Sequence, residues 1–127
     1  MAKTIATILG VVFILVGIVG FISHDFLGTH LTMAHNLVHI VSGALALYFG
    51  LAGSLSAARL FCIIFGIVYG LLGVCGFLLG TGTEHMLTID DLLMLGTMDH
   101  VVHILLAVVF LIGGFLTRAD VAPPPPT

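Results

Sequence analysis

Thr4–Ser23 reads TIATILGVVFILVGIVGFIS and contains no ionisable side chain. A bilayer core takes a helix of about 20 apolar residues, so this stretch decides the solvent in which the chain folds. Ile40–Ala58 and Leu60–Thr83 repeat the condition. A fourth run, Ile104–Thr117, is too short to span unless its helix begins near Met98. That helix then carries Asp99, His100 and His103 into or against the hydrocarbon, where ionisable groups are costly and mark function.

Composition agrees with this reading. The chain is 60% hydrophobic and 7% charged, against about 25% charged in an ordinary soluble domain. The expected fold class is all-α, a four-transmembrane-helix bundle whose first partner is the lipid bilayer. Three cations in the whole chain make no phosphate-binding stripe, which excludes nucleic acid. Cys62 and Cys75 fall in one apolar stretch, roughly 20 Å apart along a helix axis. They read as buried thiols and not as a redox pair. Lys3 before an apolar run imitates a signal peptide, but no small-x-small cleavage site follows cleanly.

The polar residues are sorted by end. Lys3, Arg59 and Arg118 lie at one end of the four stretches, and His24, His30, His35, His39, His85, His100 and His103 at the other. Asp25, Glu84, Asp90, Asp91 and Asp99 accompany the histidines. The positive-inside rule then puts both termini and the Ser54–Arg59 connection in the cytoplasm and the histidines outside. The location implied is a plasma (inner) or internal membrane, crossed several times. The end of the chain, with Pro123 to Pro126, reads as an extended cytoplasmic tail.

The chain is also a duplication. Gly10, Phe13, Gly17, Gly20 and Phe21 return as Gly66, Tyr69, Gly73, Gly76 and Phe77, at an offset of 56. His35-Asn36-Leu37-Val38-His39-Ile40 returns as Asp99-His100-Val101-Val102-His103-Ile104, at an offset of 64. Residues 1–58 form the first helical-hairpin repeat, with helices at about 4–23 and 35–54. Residues 59–118 form the second, with helices at about 60–80 and 98–117, and 119–127 the tail. Each repeat has two spans, so both point the same way and their axis runs along the membrane normal. Helices 2 and 4 become diagonal neighbours, and the glycines let helices 1 and 3 pack closely. In the longer second outer loop, Thr88-Ile89-Asp90-Asp91 resembles a capping box and suggests a short surface helix from about Ile89 to Leu95.

Residues i and i+4 share a helix face. His35 and His39 stack on helix 2, Asp99 and His103 on helix 4, and the repeat superposes the two pairs. Three imidazoles and a carboxylate suit one transition-metal ion, zinc, copper, iron or manganese. Asn36 and His100 are placed to hydrogen-bond the liganding rings and fix their tautomers. His24, Asp25, His30, Glu84 and His85 read as solvated loop polarity or as a metal-collecting vestibule. A competing reading needs no ion: Asp99 with His39 or His35 as an interhelical polar clamp. A haem or chlorin between His39 and His103 fits less well, because a carboxylate one turn away does not favour an apolar macrocycle. Met33, Met86, Met94 and Met98, near the same face, suggest a soft copper(I) site or, more readily, interfacial packing.

The His35–His39 run and the second run at Asp99–His103 resemble those of an uncharacterised bacterial family of four-helix integral-membrane proteins, domain of unknown function 4383. The resemblance covers roughly Thr4 to Leu116. The second run has His100 where the family usually has Asn, and Val102 where it has Leu. The resemblance implies the four-span topology and carries no activity with it. No serine, cysteine or lysine nucleophile is set beside a base, so the chain reads as non-enzymatic. It is either a metal- or cofactor-binding membrane protein or a small accessory subunit of a larger respiratory or photosynthetic membrane complex.

Overall fold

The computed structural model describes residues 1–23, 25, 28, 30–89 and 93–117. Arg118 and the proline-rich tail lie outside the described residues, as do His24, Asp90 and Asp91. The described elements run α1 (Ala2–Ile22), α2 (Met33–Leu51), α3 (Leu55–Leu79), β1 (Leu87–Ile89), β2 (Leu93–Leu95) and α4 (Thr97–Leu116). All four helices are long and apolar enough to cross a membrane. Their starts follow local chemistry. Thr32 and Ser54 each stand before a helix and accept a backbone N–H three residues on, from His35 and Ala57, which satisfies donors that the first turn leaves unpaired. The outward face of α1 carries Ile8, Val11, Leu15, Ile18 and Ile22, all exposed. An apolar stripe at this spacing meets lipid, not water.

The helices pack in pairs. α1 lies along α2 and α3 along α4, while α2 and α4 stand diagonally across the bundle. The repeat is visible atom by atom. A Cβ on Gly17 would meet Ile40 Cγ1 at 2.6 Å, and one on Gly73 would meet Ile104 Cγ1 at 2.6 Å. Gly20 makes room for the Asn36 amide, and Gly76 for the His100 ring. The glycines of helices 1 and 3 therefore seat the second helix of their own hairpin and do not join α1 to α3, which corrects the expectation from sequence. Between the hairpins lies an aromatic core of Phe13, Phe61, Tyr69 and Phe110. Phe13 and Tyr69, equivalent in the repeat, stack with ring centroids 5.5 Å apart. At the end opposite the histidines, the Ala2 N–H donates to Thr117 Oγ1 at 2.8 Å and Arg59 Nε donates to the Gly114 carbonyl at 3.2 Å.

Close approach makes a test. A Cβ on Gly43 would lie 2.7 Å from the Gly10 carbonyl oxygen and 3.0 Å from Ile14 N, which are backbone atoms that cannot rotate away. A Cβ on Gly70 would meet only the Ala107 methyl, at 3.5 Å. Gly43→Ala is therefore expected to destabilise the first hairpin by about 1–3 kcal/mol. Gly70→Ala is expected to stabilise by about 0.5–1 kcal/mol through lost unfolded-state freedom. Thermal unfolding in detergent reads both, and equal shifts would contradict the packing described.

The outer loop before α4 departs from the sequence reading. Among the described residues, Leu87–Ile89 and Leu93–Leu95 are strands and not a surface helix. β1 and β2 pair antiparallel, Leu87 with Leu95, Thr88 with Met94 and Ile89 with Leu93. A lone helix of seven residues is too short to be stable. The ladder satisfies the backbone and buries Leu95 completely.

Candidate metal centre

Three of the expected ligands come together. His35 and His39 project from one face of α2, with ring centroids 4.3 Å apart. His103 reaches them from α4, 5.9 Å from the His35 ring. One ring nitrogen of each lies within 4.8 Å of the others, and all three residues are buried. The floor of the site is aromatic: Phe13 lies 5.6 Å from His39, and Tyr69 lies 5.4 Å from His103. Phe110 stacks beneath both, 6.0 Å from Phe13 and 6.2 Å from Tyr69. These floor residues appear in the sequence only as markers of the repeat and as one more apolar position, with no signal of their role.

The ring nitrogens differ in what they meet. His35 Nδ1 lies 3.0 Å from the His30 carbonyl oxygen. A carbonyl only accepts, so His35 carries its proton on Nδ1 and presents the lone pair of Nε2. The Nδ1 atoms of His39 and His103 are buried without a hydrogen-bond partner. Buried polar atoms are nearly always paired; His100 Nδ1 and the Asn36 amide are orphaned as well, but His39 and His103 bring their orphans together beside a third imidazole.

Asp99 is not brought into this group. It stands in the first turn of α4, whose backbone N–H groups have no partners within the helix. There its carboxylate accepts the Gly96 N–H at 2.9 Å, the His30 N–H at 3.1 and 3.2 Å, and His30 Nδ1–H at 3.0 Å. It is 1% exposed and His30 is 30% exposed. The clamp expected between Asp99 and His35 or His39 is thus made with His30 instead. The repeat does direct its two equivalent positions to one place, but that place is His30. Asp99 holds its N–H and ring, and His35 donates to its carbonyl.

The other expected residues scatter. Asn36 turns to Gly20, fully buried, with both amide atoms lacking a hydrogen-bond partner. His100 turns to Gly76, packs edge-on against Phe77 and donates from Nε2 to the His85 carbonyl at 2.7 Å. Neither faces the three rings, because each fills the gap that a glycine leaves inside its own hairpin. Of the vestibule residues, Asp25 is exposed and accepts from Ser23 Oγ. The Glu84 carbonyl accepts from Thr97 Oγ1. His85, at φ 49°, turns its carbonyl to His100. His24 lies outside the described residues.

A family model described as Domain of unknown function (DUF4383) matches residues 3–116. The chain belongs to this family. The DUF4383 match takes in all three histidines, His30 and Asp99. No curated protein and no solved structure matches the chain.

Proposed function

We propose that this multi-pass membrane protein holds one transition-metal ion on His35, His39 and His103, and catalyses no reaction of its own. The observation that carries the reading is the pair of orphaned Nδ1 atoms on His39 and His103. An acid-histidine clamp would have satisfied them, and the acid at hand is already taken by His30. Nitrogens on one ion at about 2.0–2.1 Å sit roughly 3.3 Å from one another. The separations here, within 4.8 Å, differ from that by an amount that ring rotation covers. The proton on His35 Nδ1 is held by a carbonyl, the usual arrangement that fixes the tautomer of a liganding imidazole. Haem is disfavoured, because the rings meet each other and leave no macrocycle between them. With the basic end in the cytoplasm, the site opens outward.

Elemental analysis of the chain purified in mild detergent tests the reading. One equivalent of a first-row transition metal, or one equivalent taken up on titration, is the expected result. A chain that carries no metal, takes none up and always arrives with large partners would instead support an accessory subunit of a membrane complex.

A further inference from the structure

The same three histidines specify the charge of the ion they accept. The donor set is three imidazoles, each neutral when it ligates, and among the described residues no carboxylate or thiolate joins it. His35, His39 and His103 are 4%, 6% and 2% exposed, and the floor is Phe13, Tyr69 and Phe110. An ion here gives up its water and is surrounded by rings at membrane depth. The desolvation cost rises with the square of the ionic charge; the imidazole lone pairs repay part of it, and fixed opposite charge offsets the rest. One buried acid stands near: Asp99, one helical turn from His103 on the same face. Its single negative charge balances one positive charge and leaves a divalent ion unbalanced by one. A proton on His30 would change this tally equally for both ions, so the monovalent ion keeps its advantage.

The outer surface beside His30, whose carbonyl holds His35, has matching chemistry. A cavity of about 200 Å³ on the outer side is lined by His30, Leu31, Thr32 and Met94. The Met86 methyl lies beside the His30 ring around Gly96. Thioether sulfur is a soft donor that selects copper(I), and imidazole also suits copper. Hard cations such as magnesium and calcium take oxygen ligands, and the set offers none. Resting on the metal-site reading above, we infer that the ion bound by His35, His39 and His103 is monovalent copper, copper(I), in a three-nitrogen site.

Anaerobic titration of the full chain in detergent tests this, with copper(I) competed against a chromophoric copper(I) chelator and zinc(II) against a zinc chelator. The expected result is one copper(I) per chain, held at least about 100-fold more tightly than zinc(II). X-ray absorption of the wild-type copper(I) complex should show three nitrogen neighbours and no sulfur or carboxylate oxygen. That readout needs no variant that could misfold. His39→Gln, checked for an unchanged thermal melt, should lose the copper. Zinc(II) bound as tightly as copper(I), or a fourth anionic donor in the absorption spectrum, overturns the inference and leaves the three-histidine site standing. Failure of both ions to bind overturns the site itself.

Discussion

The metal-free His103→Leu protein is expected to be more stable than the metal-free wild type, by about 1–3 kcal/mol. Ordinarily, removal of a buried histidine from a helical bundle costs stability, because a partner is left without its hydrogen bond. Here Nδ1 of His103 has no partner to strand, and the ring is 2% exposed between Tyr69 and His35. Leucine fills a similar volume and brings no polar atom that must be desolvated. The same variant is expected to bind no metal, because it removes the only ligand that α4 contributes. A metal present at 1,000 times its dissociation constant stabilises a binder by about 4.1 kcal/mol. The wild type should gain that amount and the variant nothing, so metal should reverse the order of the two melting temperatures. A polar clamp predicts a different pattern, in which His103→Leu lowers stability with and without metal. Sites that bind at a cost to the empty protein are a known compromise, and a reversal of order on adding metal is its signature.

The spans were legible because a bilayer reads hydropathy directly: four apolar runs of sufficient length leave few alternatives. The repeat was legible because Gly17 and Gly73 keep the same neighbour, Ile40 and Ile104, at fixed offsets. His35, His39 and His103 followed from the i, i+4 rule combined with that repeat. Asp99 illustrates where the method stops. Equivalence with His35 implied an inward carboxylate, and both residues do stand third in their helices, but the repeat equates positions and not side-chain chemistry. Asp99 lies in the first turn of α4 and answers to unpaired N–H groups there, whereas His35 is oriented by the His30 carbonyl. His30, 69 residues away in the other outer loop, could not be found from periodicity. The only available signal was chemical: a buried acid in a first turn needs more donors than its own helix supplies. The β1–β2 hairpin was hidden by a similar local ambiguity. Leu87-Thr88-Ile89 and Leu93-Met94-Leu95 are two short β-compatible runs around a three-residue connection, and a capping-box match in the same nine residues pointed the other way.

Asp99→Asn is expected to be the most damaging single substitution in the outer half of the molecule, costing about 3–5 kcal/mol. Every group that meets the carboxylate is a donor: Gly96 N–H, His30 N–H and His30 Nδ1–H. An amide keeps one acceptor oxygen and turns its NH₂ toward an N–H, so one contact becomes a repulsion while its donors stay buried. The first turn of α4 also loses the negative charge that favours a helix N-terminus. His30→Ala removes only the ring and leaves the backbone N–H on Asp99, so its cost should be nearer about 1.5–3 kcal/mol, that of one hydrogen bond to a charged group. Both changes loosen His30, whose carbonyl holds the His35 proton on Nδ1. Metal affinity should therefore fall by roughly 10–100-fold in each, the usual effect of disturbing a group that orients a ligand, even though neither residue touches the ion. Asp99→Asn with wild-type affinity would show that His35 is oriented by its helix alone. Complete loss of binding in a folded Asp99→Asn protein would instead make Asp99 a ligand, reached by a rearrangement of the α4 first turn when the metal binds.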